Sequence, residues 1–537
     1  MKWMSACIFM ILGLSAVLQG QSSFEVEIVE EQFMSAPGVQ SYAWGMSSDG
    51  KWLIIGGRIE GLHGFMPRNA FDPNYNNARI YVIDVEQKRV WSKSLAGLPP
   101  EIEDQLQSTN PEFVQVDGYL YFFGGYGKGP NSQNFITHPA VIIILVDEVV
   151  NAIIHNLDIK RYFHRIEDPR LAVTGGQVYY MDGYFYMMGG QRFDGRYNPM
   201  GHPSFTQEYT DAIRKFKLVS QGGSPLSDYS EWKSVQHLHR RDYNAIPQIF
   251  PDGRKGYTMF TGVFQHNADL PWLNYVDVFD NGYEVRDDTL KLSHYHSAKF
   301  GIWDSAQNAM HNIFFGGIAQ FYYRNNRLVE DRNVPFVKTV SMVSRDSNWN
   351  VTERKLDFEM PGYLGASAEF IHAKSAEPYF HEHGVLVLDR LPMGKTLVGY
   401  IYGGIESSRP NVFRNPNRNL SSASNRIFKV YITRKDIVNK TQSVERTKHW
   451  GIYPSPAPAN GEVTLRANGW DCPPNTSVGI YLIDATGKLI QSWRVSADAM
   501  TNGEWRIPLR GIYPGSYLVR VESCNTQTTL PLLITEE

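Results

Sequence analysis

Two short stretches hold the densest chemistry in the chain, HRRDYN at 239–244 and SHYHS at 293–297. The first sets Arg240, Arg241, Asp242 and Tyr243 in a row, and the second places His294 and His296 at alternate positions. Arg58 and His63 follow one glycine pair, and Arg192, Asp194 and Arg196 follow another. Several guanidinium groups in one concavity suit a carboxylate, sulfate or phosphate, because their donor forks match planar oxyanions. Interleaved Tyr, Trp and Asn suit the hydroxyls and apolar faces of a sugar. Two histidines at alternate strand positions point to the same side and could serve a metal. No acidic third ligand accompanies His294 and His296, so no metal is expected. No nucleophile, base and orienting group can be read from spacing, and no cofactor is implied. Of the three cysteines, Cys7 lies in the leading segment and Cys472 and Cys524 near the end, which leaves no thiol chemistry between 21 and 471.

The elements that must position these residues repeat along the chain. Apolar aromatic runs end in a glycine pair at Gly56–Gly57, Gly124–Gly125, Gly189–Gly190, Gly316–Gly317 and Gly403–Gly404, and at Gly262 with Thr261 replacing the first glycine. A turn such as SSDGKW, VDGY, MDGY or PDGRKG precedes several of the runs. A polar loop follows, then a strand such as ARIYVIDV, AVIIILV or RIFKVYIT, and in several units a last strand with Trp. Apolar runs bounded by Asp-Gly turns are hairpin signals. Irregular spacing with a constant local pattern marks one structural unit with variable loops. Four strands per unit, repeated, predict an all-β fold, a six-bladed β-propeller. The aromatic share of 13%, with 46 Gly and 29 Pro, suits short strands and tight turns. No helical periodicity follows any pair, so the glycines are structural and cradle no phosphate. The sixth unit lacks a fourth strand and FEVEIVEEQF lacks a partner, so residues 24–33 are expected to close the ring.

Over about 24–435 the repeats resemble the kelch family, whose blades carry a Gly-Gly pair at the end of the second strand. In a propeller the loops after second strands and those leading into first strands open on one face. Arg58, His63, Arg192, Asp194, Arg196, Arg240, Arg241, Asp242, Tyr243, His294 and His296 are therefore the expected ligand-binding set, on that loop-rich face. The expected ligand is a glycan or a small anionic sugar. Two alternatives stay open, an enzyme acting on sugars (a kelch-type mutarotase or a glycosidase-like one) and a surface scaffold for protein partners. A copper-radical oxidase is excluded, since no Cys lies within the repeats. His381-Glu382-His383 lacks H-E-x-x-H spacing and reads as a surface feature of an insertion in the last unit.

The ends carry addresses. MKWMSACIFMILGLSAVLQG reads as a signal peptide over 1–20, and no later run is long and apolar enough to cross a bilayer. A net charge of -3 gives no reason to invoke nucleic acid. The propeller is expected over 21–440, a linker over 441–452, and a small β-sandwich over 453–537. That last segment resembles the C-terminal sorting domain of the bacterial type IX secretion system. The resemblance rests on Tyr453-Pro454-Ser455-Pro456-Ala457, Asp484-Ala485-Thr486-Gly487-Lys488, and the series Leu509, Gly511, Tyr513, Gly515, Tyr517. It implies a Bacteroidetes-type source, handling by the type IX machinery, and a place outside the cell or on its surface.

Overall fold

The computed structural model describes residues 23–536, apart from 66–69, 130–133, 199–203, 220–223, 414–418, 436–448, 469–475, 497–503 and 524–525. The expected signal peptide, most of the expected linker, Cys472 and Cys524 lie outside the described residues. One compact unit spans Ser22–Lys435, and another contains Asp436–Glu537.

The first unit is a ring of six antiparallel sheets. Blade 1 runs Ala43–Met46, Trp52–Ile55, Arg79–Asp84, Arg89–Ser94, and blade 2 runs Glu112–Val116, Tyr119–Phe123, Ala140–Leu145, Phe163–Glu167. Blade 3 is Gln177–Met181, Tyr184–Met188, Ala212–Leu218, Leu226–Lys233, and blade 4 is Asn244–Ile249, Lys255–Phe260, Tyr275–Phe279, Gly282–Arg286. Blade 5 is Ala298–Asp304, Ala309–Phe315, Thr339–Arg345, Val351–Glu359. Blade 6 takes Tyr363–His372, Gly394–Ser407 and Ile427–Arg434 from one end of the unit and Phe24–Glu31 from the other. This closure covers an edge that an open array would expose.

Burial explains the sequence pattern. Trp52–Ile55 is buried at every position, because a second strand packs against neighbouring blades on both faces. The outer strand Arg89–Ser94 has no fully buried residue, and charges are tolerated there. In blade 2 the apolar run of the third strand turns at Val146 into an α-helix, Val146–Ile154. Its Val146, Val149, Val150 and Ile153 join a core with Leu53 and Val82 of blade 1.

The glycine pairs are blade-to-blade junctions. A Cβ on Gly124 would stand 1.9 Å from the Val173 carbonyl oxygen of the next blade, and one on Gly316 would stand 2.0 Å from that of Leu364. Both glycines have positive φ, at 57° and 62°. The second glycine donates its N–H to the next blade, as in Gly57 to Ser108 O (2.8 Å), Gly125 to Val173 O (3.0 Å) and Gly190 to Arg240 O (2.7 Å). Gly317 to Leu364 O and Gly404 to Val39 O, both 2.9 Å, continue the series, the latter crossing from blade 6 to blade 1. In the exceptional fourth unit the Thr261 hydroxyl lies 3.2 Å from His294 O of blade 5.

A second hydrogen-bond series forms a complete circuit around the axis. Asn110 N–H donates to Ser41 O (3.2 Å), Gly175 to Asn110 O (3.2 Å), and Asp242 to Gly175 O (2.7 Å). His296 then donates to Asp242 O (2.8 Å), Ser367 to His296 O (2.9 Å), and Ser41 to Ser367 O (3.3 Å). Each blade contributes one residue, from the segment leading into its first strand or, for Ser367, from within it.

The second unit is a small β-sandwich. Its three-stranded sheet is His449–Tyr453, Glu462–Asn468, Glu504–Pro508, and its five-stranded sheet is Ala457–Pro458, Thr526–Thr535, Gly515–Ser523, Ser477–Asp484, Leu489–Ser496. Val463, Leu465 and Ile507 of one sheet pack with Ile480, Leu482 and Val519 of the other. In the turn Asp484–Lys488 the Asp484 carboxylate accepts from Thr486 N (2.9 Å) and Lys488 N (3.0 Å), which explains that motif as hairpin chemistry.

Candidate functional site in the central channel

First strands surround the propeller axis and wall a cavity of about 1100 Å³. At one end it meets circuit residues, Ser41, Asn110, Gly175, Asp242 and His296. At the other it reaches the hairpin turns that join first to second strands, where Ser48, Asp117 and Asp182 are exposed. That is the face opposite the post-glycine loops. The insertion of blade 6 leans over this mouth. Its Leu386–Val387 pairs in parallel with Ile302–Trp303 on the inner edge of blade 5. Glu382 reaches Lys255 of blade 4 at 3.2 Å, and His383 Nε2 lies 2.7 Å from Gly256 O. His383 is buried against the Tyr257 ring, 5.0 Å between centroids, while Glu382 stays exposed, so the triplet is a surface feature of the insertion that also lines the channel mouth, with only His383 drawn inside.

The channel wall is aromatic with a few charges. Trp44 meets Phe113 edge-on at 6.3 Å and His372 at 6.1 Å, and Tyr179 stacks on Tyr257 at 4.9 Å. Lys299 and Glu369 occupy equivalent positions of two adjacent blades, in the matching segments SAKF (297–300) and SAEF (367–370). Glu369 Oε1 is 3.0 Å from His296 Nε2. Burial works to raise the Glu369 carboxyl, but His296 and Lys299 outweigh it and hold it below the ordinary carboxylate range. Burial pushes the Lys299 amine below its ordinary range, partly opposed by Glu369. Its Nζ has a long 3.5 Å contact to Ser297 O, and among the described residues it forms no ion pair. On the opposite side of the ring Glu112 is buried, with Oε1 accepting from Gly176 N at 2.7 Å. Burial pushes its carboxyl up to about 8, so it is largely protonated at neutral pH.

The residues singled out from sequence divide into three groups. Asp242 and His296 line the cavity. Arg240, Tyr243 and His294 are fully enclosed; Tyr243 ties blade 4 to blade 3, while Arg240 and His294 brace the loops of their own blades. Arg240 bonds the carbonyls of His237, Thr261 and Asn274 and lies under Trp272, with burial lowering it to about 9. The Tyr243 hydroxyl donates to Met188 O at 2.7 Å. His294 Nδ1 accepts from Gln320 N at 3.0 Å, and burial lowers the ring to about 4. His294 and His296 precede the strand that begins at Ala298 and follow Ser293, whose φ is 62°. The two side chains therefore part, one into the core and one to the channel. The remaining residues belong to the loop-rich face. Arg58 is buried on Glu60 and Asn76, and Arg192 pairs with Asp194 at 2.7 Å. Arg196 lies over Phe135, and His63 stacks on Phe71 at 4.1 Å with burial lowering it to about 4. Arg241 forks to Asp242 and Tyr209. The guanidinium donors of Arg58 and Arg192 are taken up by polar groups of their own loops.

Residues 451–535 match the family described as Secretion system C-terminal sorting domain. Among solved structures, one titled "Structure of YjhT" is similar at 13% identity and a TM-score of 0.42, covering 74% of this chain and 96% of that one. No curated protein matches the chain. The propeller is read from strand order and register, independently of that likeness. An all-β propeller joined in one chain to a type IX C-terminal sorting domain is therefore a cargo of that system, exported to the cell surface or secreted.

Proposed function

We propose that this exported propeller binds a small glycan in its central channel and admits it from the turn face. The carrying observation is the placement of Lys299, Glu369 and His296 inside a cavity walled by Trp44, Phe113 and Tyr179. Aromatic faces match the apolar face of a sugar ring, and a few convergent polar groups match its hydroxyls. An anionic sugar is less well supported than a neutral one. Arg58, Arg192, Arg240 and Arg241 all have protein partners. The mouth carries Asp117, Asp147, Asp182, Glu377 and Glu382 against Lys255 and Lys374. The same reading takes 21–440 as the binding domain, 441–452 as linker and 453–537 as the address.

Calorimetric titration of the full chain with a panel of mono- and disaccharides tests this reading. Trp44→Ala is expected to weaken binding by about tenfold through loss of the stacking face. Absence of heat with every sugar at millimolar concentration would sink it.

A further inference from the structure

Lys299 is an unusual residue to find inside a channel. Lys299 is half-buried; an ammonium held in an aromatic channel is ordinarily paired, and a carboxylate stands in the adjacent blade at the matching position. Yet Glu369 is engaged by His296 at 3.0 Å, and among the described residues Lys299 has one long hydrogen bond, to a backbone carbonyl. The acidic mouth argues against reserving this amine for an anion. A desolvated lysine with no ion pair among the described residues suits a different use, attack on an electrophilic carbon.

We propose that Lys299 forms an imine with the carbonyl carbon of an open-chain reducing sugar held in the channel, with Glu369 and His296 handling the protons. The ammonium first passes one proton to the Glu369–His296 pair. The nitrogen lone pair then forms the N–C bond while the carbonyl π pair moves onto oxygen. A second nitrogen proton moves to that oxygen, the pair returns the first proton, and oxygen leaves as water. The product is a protonated imine that keeps one N–H, so atoms and charge balance without any oxidant or reductant. Burial of the amine supports the step, since only its uncharged form is nucleophilic.

This inference rests on the channel-binding reading, and one experiment separates the two. Full-length protein is incubated with glyceraldehyde and cyanoborohydride, which reduces an imine to a stable amine, and the adducts are located by peptide mass mapping. Lys299 is expected to be modified about tenfold faster than any surface lysine, the advantage of a less protonated amine held beside proton-transfer groups. Lys299→Arg should abolish that fast adduct. Glu369→Gln should slow it while leaving the melting temperature close to wild type, which separates a positioning role from loss of fold. Equal labelling of all lysines, or a Lys299 that stays unmodified, overturns the imine. If calorimetry still shows sugar binding in that case, channel binding stands and only the covalent step falls. If Lys299 is trapped while no sugar binds reversibly, the imine stands and the glycan reading falls.

Discussion

The two faces of the propeller make a useful contrast. The loop-rich face holds most of the arginines and looks, as sequence, like a binding surface. Its charged groups are nevertheless consumed locally, Arg58 by Glu60, Arg192 by Asp194, and Arg241 by Asp242. The turn face is built from short hairpins and the blade 6 insertion, and the cavity reaches it carrying Lys299 without an ion pair among the described residues. Density of reactive residue types is thus a poor guide. A group that the fold leaves unsatisfied inside a cavity is a better one.

The contrast can be broken at several points. The largest effect belongs to the junctions that hold both faces in place. Gly124→Ala would set a Cβ 1.9 Å from Val173 O at a φ of 57°, and a loss of at least about 3 kcal/mol is expected by denaturant unfolding of the propeller. Next comes Arg240→Met, which strips donors from the buried carbonyls of His237, Thr261 and Asn274. It should cost about 2–4 kcal/mol of stability and leave sugar affinity unchanged, as calorimetry on the folded fraction would show.

A subtler effect follows from Glu112. Its folded carboxyl titrates at about 8 against an ordinary 4.5, so above 4.5 the folded protein retains a proton that the unfolded chain has released. Stability contributed by this group therefore falls as pH rises from about 4.5 to 8 and levels off above that. Glu112→Gln keeps an acceptor for Gly176 N–H and should remove the fall, seen as a wild-type-minus-variant difference in melting temperature that grows across that window. The smallest effect is expected of Arg192→Ala, which breaks a surface pair of which the Arg side chain is 52% exposed. It should change stability by less than about 1 kcal/mol and sugar binding not at all.

How far the sequence could be read follows from what each element must do. Second strands such as Trp52–Ile55 pack on both faces, so they are continuous apolar runs and easily seen. The glycine pairs were legible because neighbouring backbone forbids a Cβ. The helix Val146–Ile154 was hidden, since AVIIILV runs into its first residue and VVNAII is apolar again after Asp147-Glu148, and periodicity alone does not separate a buried strand from a buried helix. The channel charges were missed for a different reason. Glu112, Lys299 and Glu369 are single residues in otherwise ordinary strands and form no motif. One signal was present in the sequence, the match between SAKF and SAEF at equivalent blade positions, which sets Lys299 and Glu369 on neighbouring strands. The histidines of SHYHS misled because the segment is not a regular strand, and alternation holds only within one.

The most direct test of a channel site is to titrate wild type, Lys299→Met and an Arg192→Ala/Arg196→Ala double variant with the same sugar. Binding lost in Lys299→Met and retained in the double variant is the predicted result. Binding retained in Lys299→Met and lost in the double variant would place the ligand on the loop-rich face and contradict the channel.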